Sequence, residues 1–211
     1  MGKIFDYDNN FFAGISKVSD TIILNFLFVI CSIPIVTIGA STTALYCVSM
    51  KSTRDEDVYA VKEFFKQFKQ NFKESTIIWL ILLLVASFIG LDFYMCSLMS
   101  NDILSTAFKF IFTLISIVIG FIVVYVFPLV ARFENSIKNT LTNSIFMSIQ
   151  HLPYTLVMSV LAFAPILSFI LFSQYWGQIV FFNTCISFGF IAYMNSILLN
   201  KIFSKYILQI Y

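Results

Sequence analysis

The sequence predicts an all-α, polytopic transmembrane helix bundle: one integral membrane domain over residues 1–211, with about five spans and two cytoplasmic amphipathic helices. Three observations carry this. Of the 211 residues 59% are hydrophobic and only 11% charged, where roughly a quarter are charged in soluble domains. The mean hydropathy is +0.90, and apolar runs long enough to cross a hydrocarbon layer of ~30 Å recur along the chain. Between the runs lie short polar segments, some rich in Lys and Arg and some without any. A formal charge of +2 is too small to point to nucleic acid, so the placement of the basic residues carries the information.

The chain opens on Lys3, Asp6, Asp8, Lys17 and Asp20 before any apolar run, unlike the basic region and cleavage site of a signal peptide. Met1-Gly2 resembles the start of a myristoylation signal, but Asp6 stands where Ser or Thr is needed, and the C-terminus has no CaaX cysteine. The spans are therefore the expected anchor, with Phe11, Phe12 and Ile15 expected on the membrane surface.

The first span, about 21–48, contains NFLFVICSIPIVTIGASTTALY from Asn25 to Tyr46. As one straight helix, residues 21–46 would reach ~39 Å, too long for the bilayer. Pro34 marks the interruption, since it removes a donor and pushes Ile33 out of helical geometry. Thr37, Gly39, Ala40, Ser41, Thr42 and Thr43 follow, small enough for close backbone approach and able to bond freed carbonyls. Two readings stand: a kinked helix packed by small residues, or a helix broken at a ligand or ion site. On either, Asn25, Asn183 and Asn195 are the expected polar partners of the break.

A basic amphipathic segment comes next, about 54–73. Val58, Val61, Phe65, Phe68 and Phe72 recur at steps of three and four, and Lys62, Lys66, Lys69 and Lys73 run along another face. Thr53 and Glu56 have the spacing of a capping box. This predicts a helix lying in the membrane interface on anionic lipid headgroups, rather than in a partner groove or a coiled coil. The second span, about 75–92, closes at Asp92 and the loop Ser100-Asn101-Asp102. The third, about 104–131, has Lys109 placed to snorkel and Pro128 near its end. Residues 133–151 carry Ile137, Leu141, Ile145 and Ile149 at four-residue steps, a second amphipathic helix. Pro153 marks the next boundary, and spans at about 154–173 and 177–199 complete the chain.

Six basic residues lie within 51–74, Arg132 and Lys138 follow the third span, Lys201 and Lys205 follow the fifth, and the loops around 95–103 and 174–178 have none. The positive-inside rule puts the amphipathic segments and the C-terminus in the cytoplasm. Five crossings then put the N-terminus outside, and a re-entrant hairpin at the first span would move it inside. A proline-bearing span, an amphipathic segment and a second span occur in that order twice, at 21–91 and 104–173, as a parallel transporter repeat or as the mimicry apolar sequence produces.

LNFLFVICSIPIVTIGASTTALY, FFKQFKQNFKEST leading to Trp79, and YVFPLVARFENSIKNTLTNS, in that order over roughly 20–155, resemble the YesL-like family of bacterial membrane proteins of unassigned function. The resemblance implies a small multi-span protein of a Gram-positive cytoplasmic membrane, linked by gene neighbourhood to carbohydrate uptake and its regulation. It supplies no catalytic residues.

The residues supply none either. The single histidine, His151, sits beside Pro153 at an expected interface, the seven glycines are scattered, and Cys31, Cys47, Cys96 and Cys185 have no metal or redox spacing. No enzyme activity, cofactor or metal is expected. The candidate packing or functional motif is Asn25, Pro34, Thr37, Gly39, Ser41, Thr42 and Thr43, and the candidate lipid or interface residues are Lys62, Lys66, Lys69, Lys73 and Arg132. Two functions fit: an accessory partner of a membrane transporter or sensor, or a small transporter with its site at the broken first span.

Overall fold

The computed structural model describes residues 4–54, 56, 59–99 and 102–207. These form α1 (Ile4–Cys31), α2 (Ile38–Ser52), α3 (Ala60–Ser97), α4 (Asp102–Arg132), α5 (Ile137–Gln150), α6 (Leu152–Leu171), α7 (Trp176–Phe182) and α8 (Phe188–Ile207), with no strand among them. Four helical stretches are long and apolar enough to cross a membrane: Ala60–Ser97, Ile103–Arg132, Leu152–Leu171 and Ser173–Tyr206. The molecule is an all-α membrane bundle, as its composition requires.

The first span departs most from expectation. Lys17 and Val18 of α1 line one cleft with Tyr193 and Met194 of α8. Further along, a Cβ on Gly189 would meet the Thr21 carbonyl, and Asn25 reaches Thr184, so α1 and α8 are antiparallel. By contrast α2 runs with α8, because Asn195 bonds Tyr46 and Asn200 bonds Met50 and Thr53. It follows that α1 and α2 are antiparallel, the two legs of a hairpin. Its turn lies beside Trp79, whose ring N–H donates to the Ile35 carbonyl at 2.7 Å, and α3 continues from there for another ~27 Å to Ser97. The stretch at 21–48 is thus a helical hairpin rather than one continuous helix, and neither leg is among the stretches long and apolar enough to cross a membrane. Its open end faces the side where Lys51, Arg54, Lys73, Arg132, Lys201 and Lys205 gather, here called the basic end.

The second difference is at α3, where the expected interfacial helix and second span are one helix of 38 residues, ~57 Å long. No Gly or Pro occurs between Gly39 and Gly90, so nothing interrupts the hydrogen-bond ladder where the polar segment meets the apolar one. Residues 60–74 therefore project beyond the membrane-crossing part as a stem of ~22 Å. Phe64, not Phe65, is its fully buried residue, packed with Met50, Leu199 and Phe203. The Thr53–Glu56 capping box does not form: Thr53 ends α2, its hydroxyl donating to the Ser49 and Met50 carbonyls, and Glu56 pairs with Arg54. Val58, Ser100 and Asn101 lie outside the described residues, as do the side chains of Phe11 and Phe12. Asp92 lies inside α3, and Pro128 inside α4.

Helix α5 forms as its spacing predicts, capped by the Ser136 hydroxyl accepting from Asn139 N–H. Ile137 and Leu141 pack on Ile78, Phe127 and Val130. Past them the helix turns its small polar residues inward, burying Thr140, Ser144 and Ser148, while Phe146 and Ile149 stay 66% and 63% exposed. The two halves of the expected repeat are not equivalent, since one begins with a hairpin that turns back and the other with the crossing helix α4.

Candidate functional site

The turn between the hairpin legs runs through Ser32 to a short 3-10 turn at Ile35–Thr37. Pro34 ends the first leg as its missing donor requires. The freed groups find partners close by. The Thr37 hydroxyl lies 2.6 Å from the Cys31 carbonyl and 2.7 Å from that of Pro34, Thr37 N–H donates to Pro34 at 2.9 Å, and Trp79 takes Ile35. This is how irregular backbone is tolerated at membrane depth. The tip itself is apolar and open, with Ile33 76% and Ile35 65% exposed.

Beyond the turn α2 is buried along nearly its whole length. Gly39 is the point of closest approach: a Cβ there would stand 2.5 Å from the Ser75 carbonyl and 2.6 Å from Trp79 Cβ. The hydroxyls that follow are spent within their own helix. Ser41, Thr42 and Thr43 donate back to the carbonyls of Thr37, Ile38 and Gly39, and only Thr43 also meets another helix, at Ser75 Oγ 2.8 Å away.

The three asparagines expected at the break are elsewhere. Asn25, fully buried, inserts its amide into the opposite helix: Nδ2 donates to the Thr184 carbonyl at 2.5 Å, and Oδ1 accepts from Gly189 N–H at 2.9 Å. These two backbone groups are five residues apart, the pairing of a π turn, and Asn183–Ser187 is a π-helical segment. One side-chain amide thus closes a gap in the ladder between α7 and α8, at the place where Gly189 lets α1 approach. Asn183 reaches toward Ser168 at 3.5 Å, and Asn195 donates to the Tyr46 hydroxyl at 3.2 Å. The π segment has no sequence signature a single chain reveals; the isolated Asn25 in an apolar run was the only signal.

At the basic end, Lys62, Lys66, Lys69 and Lys73 are exposed along one face of the stem. The stem continues a crossing helix, so Lys62 stands ~16 Å farther along its axis than Lys73. The exposed Val61, Phe65 and Phe72 flank this basic row. Arg132 belongs to a different group, lining a cavity with Lys51 and Arg54. Lys51 bonds Glu63 at 2.6 Å, and Arg54 bonds Glu56 at 2.7 Å and Asn200 at 3.1 Å, which ties the end of α2 to the stem and to α8. The Lys51 hydrogen bond holds the Glu63 carboxyl below its ordinary range. Burial pulls Lys51 down, but the Glu63 hydrogen bond and the neighbouring negative charges together carry it above its usual value. His151 joins the α5–α6 corner to α8 through Tyr206: the tyrosine hydroxyl donates to Gln150 Oε1 at 2.7 Å and lies 2.9 Å from His151 Nε2.

The family described as "Protein of unknown function, DUF624" matches residues 21–93, the hairpin and nearly all of α3. "Uncharacterized protein YesL" of Bacillus subtilis (strain 168) is 28% identical over 154 residues, 72% of this chain and 71% of that one. This chain is similar to the YesL-like family over these residues. No solved structure matches it. Within this YesL-like chain the family match thus coincides with the part whose turn, close approach and stem depend on particular residues: Pro34, Gly39, Ser75 and Trp79.

Proposed function

We propose that this YesL-like protein is a non-catalytic accessory or regulatory partner of a membrane system linked to carbohydrate uptake, set as a multi-pass protein in the bacterial cytoplasmic membrane with its basic end inside. The observation that supports the reading is the stem, where a basic row flanked by exposed Val61, Phe65 and Phe72 lies on one helix with an apolar stretch long enough to cross a membrane. Such a surface suits a partner protein better than a lipid surface. The link to carbohydrate uptake rests on the family resemblance alone. The transporter alternative draws on the helical hairpin, but the hydroxyls of residues 41–43 all bond back within α2, which favours packing over a ligand site.

The test is purification in mild detergent of the wild type and of a variant with Lys62, Lys66, Lys69 and Lys73 changed to Gln. Stoichiometric recovery of a sugar transporter or sensor kinase with the wild type, and its loss with the variant, is the expected result. Solute uptake by the purified protein alone in liposomes, with no such partner recovered, would sink the accessory reading. Orientation is checked by single cysteines in a cysteine-free background: Ser16, Ser52 and the exposed Asn143 should be protected from an impermeant reagent in whole cells, and Ser173 labelled.

A further inference from the structure

The cavity at the basic end lies between the C-terminal ends of α2 and α4 and the middle of the α3 stem, and measures about 220 Å³. Lys51, Arg54 and Arg132 line it with the side-chain amides of Gln67, Gln70 and Asn71, against one lining carboxylate, the exposed Glu134. Two of the three cations are already neutralised, Lys51 by Glu63 and Arg54 by Glu56. Arg132 is not. Among the described residues it makes no ion pair or hydrogen bond, though it is half-buried in the same cavity as a second guanidinium. The nearest charges acting on Arg132 are the Arg54 guanidinium and, more weakly, the Glu56 carboxylate already bonded to Arg54, and an anion between the two guanidiniums makes that balance favourable.

We propose that this cavity binds a phosphate group. A guanidinium presents its N–H donors as a planar fork that matches two phosphate oxygens at once. Arg132 offers that fork uncommitted, and the three amides provide further neutral donors from the stem side. The space also fits more than a bare ion. At ~30 Å³ per water it holds about seven water volumes, enough for a phosphate with a few attached carbon atoms. Arg132 is the last residue of a crossing helix, so the site is within reach of both a phospholipid headgroup and a soluble phosphate compound.

The experiment uses the full chain purified in detergent. One arm titrates inorganic phosphate against chloride at constant ionic strength and follows thermal stability. The other measures, by native mass spectrometry after delipidation, retention of added phosphatidylglycerol relative to a phosphate-free glycolipid of equal chain length. Stabilisation by phosphate identifies a soluble source, and selective retention of phosphatidylglycerol identifies a headgroup. In either arm Arg132→Gln should weaken binding about tenfold, without lowering the stability of the ligand-free protein, since among the described residues Arg132 has no hydrogen-bond or ion-pair partner to lose. Gln70→Ala should weaken it less, and Lys109→Gln, an exposed position near the opposite end of α4, should leave it unchanged. Failure of both ligands to bind, or binding indifferent to Arg132→Gln and Gln70→Ala, overturns the proposal.

Discussion

Helix α2, which packs along the α3 stem and meets the apolar part of α3 at Ser75 and Trp79, and that apolar part together invert the pattern of a soluble protein. The apolar stretch of α3 is only 11% buried inside the molecule, and those of α4 and α6 only 22%. By contrast α2, rich in Gly, Ala, Ser and Thr, is buried from Gly39 to Met50 except at Thr42. In water the most apolar helix would be the most hidden. In lipid, burial of apolar surface offers no gain, because the tails outside are as apolar as the interior, and close packing of small residues decides what goes inside. Side-chain size and the satisfaction of each polar atom should therefore govern stability in α2, and hydrophobicity alone should govern the outer face of α3.

The widest expected separation is between two glycines. Gly39→Leu forces bulk against the Ser75 carbonyl and Trp79, a clash with backbone that costs about 3 kcal/mol or more, and should abolish a monodisperse folded peak in gel filtration. Gly90→Leu meets nothing within 4 Å and should leave the thermal midpoint unchanged. A stable Gly39→Leu protein would mean that α2 is not a packed centre.

Next in size is Asn25→Leu. The residue sits in an apolar run, so hydropathy alone predicts a neutral or favourable change. The structure predicts destabilisation of about 1–3 kcal/mol for each abandoned group, the Thr184 carbonyl and Gly189 N–H. Denaturation in mixed micelles distinguishes the two, and faster hydrogen exchange should be confined to the α7–α8 junction.

A smaller effect, about 1 kcal/mol, is expected where the end of α2 meets the stem. Glu63 is depressed in the folded protein, so its contribution is present above the ordinary glutamate value of 4.5 and lost as pH falls through the lower folded value. Lys51 is raised, so its contribution is present below 10.5 and lost as pH rises through the higher folded value. The thermal midpoint of the wild type relative to Lys51→Met with Glu63→Gln should be flat between those limits and fall at both ends. A difference that peaks at either extreme would remove the pair from the account.

The smallest effect is expected at Thr42→Val, which loses a single bond back to Ile38 within its own helix and should shift stability by less than about 0.5 kcal/mol. Thr43→Val should cost more, because it also strands Ser75 Oγ. Equal effects at the two positions would show that the contact between α2 and α3 is not specific.

The sequence by itself determined the helical fold, the long apolar segments of α3, α4 and α6 and the run ending in α8, and the gathering of basic charge at one end, because composition and apolar run length are local quantities. It also located the interruption at Pro34, the close approach at Gly39 and the second amphipathic helix after Arg132. The unbroken course of α3 departs from the interfacial helix and separate span that the amphipathic pattern predicts, although no helix breaker stands between Lys51 and Phe88. Only the tertiary structure decided that the first span turns back, that Asn25 completes the ladder of α7 and α8 instead of meeting the break, that Phe64 and not Phe65 faces inward, and that Arg132 joins Lys51 and Arg54. Each depends on which helix lies opposite. In a chain whose lipid-facing and protein-facing residues are almost equally apolar, periodicity does not encode that choice; small residues and single buried hydrogen bonds make it.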